Sequence, residues 1–291
     1  MDKKFTYITL FSFLWSVYTV IRKYVFNQGV DELNFLTWSL LFAVLFLSLY
    51  LLAFDRKQLH FGVSKKYQTL IAIGLVGNGL SNIFMTVGLK LSTAANLGFL
   101  IKTSMAFTVI IAYFVLKESV SKLKVLFVFL MFVGAYLIST NGALIVPRFG
   151  DVLIMAGALC NAVATVMSRA LLKNSSDSLL VTWYRLSFGF LVTWLFTLGL
   201  GRWSFDIEPW VFWIMVVCAI LLIVFVWLLN KALECATASY VSIMNMSVSV
   251  FVLILSLMFL DETFSLAQAL GAVIIILAGI GTVKTKVAET S

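Results

Sequence analysis

Charge is scarce in this chain: 12% of its 291 residues are Asp, Glu, Lys or Arg. A water-soluble globule carries roughly twice that share, so a soluble fold is excluded. There is one histidine, His60, and the three cysteines Cys160, Cys218 and Cys235 are scattered without pairing or metal-ligand spacing. A membrane metalloprotease or desaturase needs clustered ligands; none are encoded, and no cofactor or metal is expected. No nucleotide-binding loop, catalytic triad or nucleophile–base pair is visible, so the chain does not read as an enzyme. Proline is confined to Pro147 and Pro209, each beside the start of an apolar run, where a missing N–H costs little. Proline-broken helices are therefore not expected. Backbone freedom falls to glycines such as Gly74, Gly77, Gly79, Gly88, Gly98 and Gly134, or to intact helices rocking against one another. Two-residue alternation is absent too, which sets aside a membrane β-barrel.

What fills the chain instead is apolar sequence, 62% of it. Runs of roughly 20 apolar residues cross the hydrocarbon core as helices. Ten such spans can be placed, at 7–26, 34–54, 67–89, 94–116, 123–139, 151–172, 179–200, 209–229, 236–260 and 264–283. The first follows Lys3 and Lys4 as a signal peptide would, but its apolar core is longer, contains Trp15 and lacks a small-x-small site. It reads as a retained span. With the N-terminus inside, 14 basic residues fall on the cytoplasmic side and 5 outside. That bias predicts a multi-pass protein of the cytoplasmic membrane with both termini cytoplasmic. It also accounts for the net positive charge, so nucleic acid is not an expected partner; the bilayer is.

Residues 89–121 recur 144 positions later as residues 233–265, with Leu89, Thr93, Ala94, Phe107, Ile110, Leu116, Glu118 and Ser121 on identical residues. The shared Leu-x-Glu-x-x-Ser ending carries most weight because charges are rare. A duplicated unit of five spans, an odd number, re-enters the membrane from the opposite side. The expected fold is therefore all-α: ten transmembrane helices in two inverted five-helix repeats, residues 1–144 and 145–291. Inverted repeats with a site between them are a common plan for secondary transporters.

Lys102 is the sharpest chemical signal, a lysine inside an apolar run with no acid within a helical turn. Such a charge costs a few kcal/mol on insertion scales and ordinarily faces a cavity or partner. It would attract a solute carboxylate or phosphate, or exchange a proton; the bland alternative is a side chain snorkelling outward. Asn78 and Asn82 stand four residues apart on one helix face, and Asn96, Asn161 and Asn245 lie in other spans. Singly, amides glue helices together; collectively they suggest a polar cavity, with Trp15, Tyr18 and Trp227 as aromatic walls. Arg185, near the start of the seventh span, would meet a solute, a headgroup or a loop. Glu118 and Glu262 end helices and are expected to fix helix ends and lateral packing.

The ten spans, the endings FVLKES and LMFLDET, and the run AANLGFLIKTSMAF at 94–107 resemble the drug/metabolite transporter superfamily, specifically its EamA-type permeases. Arg185 fits that pattern as well. The proline usual in the fourth and ninth spans is missing, with Met105 and Val248 or Ser249 nearby. The resemblance implies a secondary carrier, often an exporter of amino acids or other small metabolites, working by alternating access. It implies a central cavity lined by spans one, three, four, six, eight and nine, which puts Trp15, Asn78, Asn82, Lys102, Asn161, Trp227 and Asn245 along it as substrate-binding residues. Two other readings stay open: an efflux carrier for lipophilic drugs, and a membrane scaffold subunit without a solute path.

Overall fold

In hydrocarbon no water is present to satisfy backbone N–H and C=O groups, so an apolar run must close its own hydrogen bonds as a helix. The computed structural model describes residues 3–54, 64–92, 99–118, 120–144, 148–173, 177–259 and 265–289, with the side chains of 89, 90, 139 and 282–289 left aside. His60, Asn96, Pro147 and Glu262 lie outside the described residues. Among the described residues every regular element is helical. In order these are α1 (Lys3–Asn27), α2 (Glu32–Phe54), α3 (Lys65–Ala72), a π-helical stretch (Ile73–Leu80), α4 (Ser81–Lys90), α5 (Thr103–Leu116), α6 (Lys122–Thr140), α7 (Phe149–Lys173), α8 (Ser178–Gly199), α9 (Pro209–Cys235), α10 (Ala238–Met244), α11 (Ser247–Phe259) and α12 (Leu266–Glu289).

Among the described residues seven helical stretches are long and apolar enough to cross a membrane: Lys3–Asn27, Glu32–Phe54, Lys65–Gly88, Phe149–Lys173, Ser178–Gly199, Pro209–Cys235 and Ala238–Phe259. Thr103–Leu116 and Leu266–Gly281 are shorter apolar helices. Large apolar side chains such as Phe114, Phe129, Trp213, Leu266 and Leu277 stand exposed, as a lipid-facing belt requires. The chain is thus an all-helical, multi-pass membrane protein.

Local chemistry sets the helix starts. Asp177 accepts the Leu179 N–H (2.7 Å) at the head of α8, Thr237 accepts from Tyr240 (3.3 Å) at α10, and Pro209 opens α9 where its missing N–H is harmless. A shift of 144 carries the starts of α3, α5 and α6 onto those of α9, α11 and α12.

The packing respects that shift. α1 lies against α9, and its counterpart α7 lies against the π stretch and α4. α1 also packs on α11, as α7 packs on α5. One apolar core joins α1, α2, α8 and α9, and a smaller one, with Met105, Met131, Ile243, Met246 and Ile275, joins α5, α6, α10, α11 and α12. α6 and α12 meet through Gly134 and Gly271, so closely that a Cβ on Gly134 would lie 2.7 Å from the Gly271 carbonyl oxygen. The connections after α5, α7 and α9 gather at one end, the basic one. There Arg169 Nη1 donates to the carbonyls of Leu233 (2.5 Å) and Glu234 (3.1 Å). At the opposite end Asn34 Nδ2 donates to Ser204 (3.2 Å), Asp31 pairs with Arg202, and Asp151 accepts from Ser92.

Candidate functional site

Within the described residues the fourth and ninth apolar runs are interrupted without proline, which corrects the expectation of intact helices. Around residues 101–102, the N–H groups of Lys102, Ser104 and Met105 bond to the carbonyls of Phe99 (3.0 Å), Ile101 (3.2 Å) and Lys102 (3.1 Å). Around residues 245–246, those of Met246, Val248 and Ser249 bond to Ile243, Asn245 and Met246, each at 3.1 Å. All six are i→i−3 bonds, the tighter 3₁₀ pattern, and every donor and acceptor in the first set maps onto the second by a shift of 144. The side chains take part too. Thr103 Oγ1 donates to Leu100 O (2.6 Å) and Ser247 Oγ to Met244 O (2.8 Å), again 144 apart. A hydroxyl at the break thus satisfies a carbonyl that the α-pattern would have used. Proline is unnecessary when threonine or serine can do this.

Lys102 sits at the first break, immediately before α5, and Asn245 sits at the second, immediately after α10. Lys102 is half-buried, and its ammonium group makes no hydrogen bond or ion pair among the described residues. Asn245 Oδ1 is buried without a donor. The two breaks therefore each present an uncommitted polar side chain in the membrane-embedded region.

Asn78 lies in the π stretch, pressed against α8: a Cβ on Gly189 would come 2.6 Å from the Asn78 Cβ. Its Oδ1 accepts from Arg185 Nε at 2.7 Å. Arg185 is only 4% exposed, and its Nη1 has no partner. Asn82 is half-buried on α4, with its carbonyl taken by Thr86 (2.8 Å). Asn161 on α7 accepts from the Thr165 hydroxyl through both its backbone oxygen (2.9 Å) and, weakly, Oδ1 (3.4 Å). Trp15 stacks on Phe225 of α9, centroids 6.1 Å apart and planes 11° off parallel. The Trp227 indole N–H is buried with no acceptor.

Among the described residues no two of these seven expected site residues are hydrogen-bonded to each other. Asn78 is instead engaged by Arg185, which the sequence reading left outside the site. One further group escaped that reading, and another, Tyr18, entered it only as an aromatic wall. Asn230 Nδ2 donates to Thr182 Oγ1 (2.9 Å) inside the α8–α9 contact, both residues fully buried. The Tyr18 hydroxyl is buried without a partner, and Arg22 lies over the rings of Tyr18 (5.3 Å) and Phe26 (5.1 Å). Asn230 was legible as one more amide in an apolar run; nothing in the pattern marked its partner.

Glu118 does more than end a helix. Its carboxylate accepts the N–H groups of Ala238 (2.8 Å) and Ser239 (3.1 Å) and the Ser239 hydroxyl (2.6 Å). The chain leaving α5 is thereby fastened to the first turn of α10 at the basic end. At the opposite end a cleft of about 760 Å³ opens between the α1–α2 and α8–α9 connections, lined by Tyr24, Asp31, Asn34, Arg202, Glu208 and Trp210 among others. Among the described residues no cluster of potential metal ligands occurs.

Comparison with known proteins gives these features a setting. The model of the EamA-like transporter family matches residues 3–140 and again residues 148–283. "Uncharacterized transporter YyaM" of Bacillus subtilis (strain 168) is 29% identical over 141 residues, 46% of this chain and 46% of that protein. An "Uncharacterized transporter" of Archaeoglobus fulgidus is 27% identical over 208 residues, 70% of this chain and 65% of that one. The matched segment thus spans between about half and two thirds of these curated relatives. A solved structure described as "Crystal structure of protein" superposes at a TM-score of 0.78, covering 99% of this chain and 98% of that one; at 15% identity the likeness concerns the fold alone.

Proposed function

The chain belongs to the EamA-like transporter family, and from that premise we propose that it is a secondary carrier that exports a small polar metabolite, such as an amino acid, across the cytoplasmic membrane. In this reading residues 1–144 and 145–291 form two inverted five-span repeats, the basic end faces the cytoplasm, and the repeats alternate access to a site between them. The observation that carries it is the pair of 3₁₀ breaks, identical in hydrogen-bond pattern and 144 residues apart, that set Lys102 and Asn245 in the membrane-embedded region. Broken helices exposing polar groups near the midplane are where carriers hold solutes. Lys102, unpaired, draws the solute's carboxylate or phosphate; Asn245 supplies amide contacts. Asn78, Asn82 and Asn161 supply further polar lining, and Trp15 and Trp227 its apolar walls.

The test is flux in proteoliposomes loaded with labelled amino acids and phosphorylated metabolites. Lys102→Met is expected to abolish counterflow while the purified variant keeps its helical content and elution volume. Normal counterflow in that variant would remove Lys102 from the site. Transport of lipophilic dyes that survives Lys102→Met but falls in Trp15→Ala would favour drug efflux instead.

A further inference from the structure

We propose that Arg185 is a second oxyanion anchor, oriented by Asn78, for the carboxylate of the transported solute; the assignment rests on the carrier reading above. A guanidinium carries five N–H donors and no acceptor. Buried charges are retained when paired, yet at 4% exposure Arg185 makes no ion pair among the described residues. Its one polar contact is to a neutral amide, Nε to Asn78 Oδ1 at 2.7 Å, and Nη1 is left buried with no acceptor.

The surroundings are built for a group that must be held in one plane. Arg185 lies seven residues into α8 from Ser178, about 10 Å along the helix axis, beyond easy reach of water at the basic end. Opposite it is the π-helical stretch Ile73–Leu80, a form that is rare and frequently marks functional sites. Within that stretch Gly77 stands against α7 and the guanidinium together: a Cβ there would lie 2.4 Å from the Ala164 Cβ and 3.9 Å from Arg185 Nη2. Bare backbone therefore flanks the head group, and Asn78 fixes it through Nε. The edge left over is the one that a planar carboxylate takes in a two-bond fork. By sequence, Lys102 and Arg185 are the cations set deepest in the apolar runs, with Arg22, Lys23 and Arg169 nearer their ends, whereas the acidic residues fall at the ends of the runs or between them. The interior is short of negative charge, and the solute supplies it.

A structural strut and an anion anchor differ in one readout: only an anchor makes a saturable response to an anion depend on the guanidinium. Arg185→Met also leaves Asn78 Oδ1 without its donor, so its anion-free Tm does not separate the two. The experiment is thermal unfolding of the purified full-length protein in detergent, titrated with sodium formate or inorganic phosphate at constant ionic strength. A ligand of the folded state raises the Tm saturably. Formate is expected to do so in the wild type. In Arg185→Met the apparent Kd should weaken at least tenfold. Arg185→Lys keeps the charge but loses the fork, so it should also weaken at least tenfold; it decides the matter if the methionine variant does not fold.

A saturable response to phosphate in place of formate, lost in the same variants, keeps the oxyanion anchor and names phosphate as its ligand. Absence of any response in the wild type overturns the proposal. So does a wild-type response in Arg185→Met or in Arg185→Lys. A response lost in Lys102→Met but intact in Arg185→Met gives the anion to Lys102 alone and overturns this assignment while leaving the carrier reading standing. Failure of the carrier reading shows in a separate readout, the absence of flux.

Discussion

The polar residues of this chain divide by what they touch. Thr182 and Asn230 hold each other in the α8–α9 contact, Asn161 is occupied by Thr165 on its own helix, and Asn78 is occupied by Arg185. Lys102 and the Asn245 carboxamide oxygen are not occupied. Asn230 Oδ1, like Asn245 Oδ1, is buried without a donor, so Asn230 is only half committed. The Asn78–Arg185 bond involves a charged donor, for which a contribution of about 1.5–3 kcal/mol is usual. Asn78→Ala leaves the guanidinium with no partner at all, so thermal unfolding should show destabilisation of about 2 kcal/mol. An unchanged melting temperature would mean that water replaces the amide.

At the scale of the element, the two broken helices behave alike in their hydrogen bonds but differ in side chains. At the breaks Lys102 stands where the second copy has Met246, and Ile101 where it has Asn245. The two copies share the backbone geometry of the break and differ in its polar side chains. The Glu118 contact belongs to the same scale. Three accepted hydrogen bonds tie the end of α5 to the start of α10, and an anion at a helix N-terminus is favoured by its free N–H groups. Ala238 is fully buried beneath that contact. In a background with the native cysteines replaced, Ala238→Cys should react slowly with a membrane-impermeant thiol reagent added at the basic side. Adding Glu118→Gln should speed labelling several-fold. Equal rates would mean that the contact does not close that end.

For the whole molecule, the pairing of helices obeys the 144-residue shift while the ends do not look alike. The basic end is fastened by Glu118 and Arg169, and the opposite end carries the 760 Å³ cleft between the connections. In the topology we propose, the excess of basic residues puts the fastened end in the cytoplasm. A cysteine at Asp206, in the exposed α8–α9 connection, should label from outside intact cells, whereas a fluorescent protein fused after Ser291 should remain protected and bright. The reverse result would invert the topology and with it the direction assigned to transport.

The sequence alone determined that the chain is helical and membrane-spanning, because a bilayer leaves an apolar run of that length no other way to satisfy its backbone. It also determined the repeat and its offset, since the Leu-x-Glu-x-x-Ser ending and a scarcity of charge make one matched glutamate informative. Lys102 was legible for the same reason: a charge in hydrocarbon is costly enough to stand out. What only the tertiary structure decided is which polar groups are spent. The breaks at 101–102 and 245–246 were hidden because a threonine or serine hydroxyl does there what a proline search could not detect. Arg185 was visible as a residue but not as an unpaired one, since Asn78 is 107 positions away in the chain and only the packing of the π stretch against α8 brings them together. Pattern records what each span contains; the partner of a buried polar group depends on the rotation and depth of the neighbouring helix, and those are set by packing.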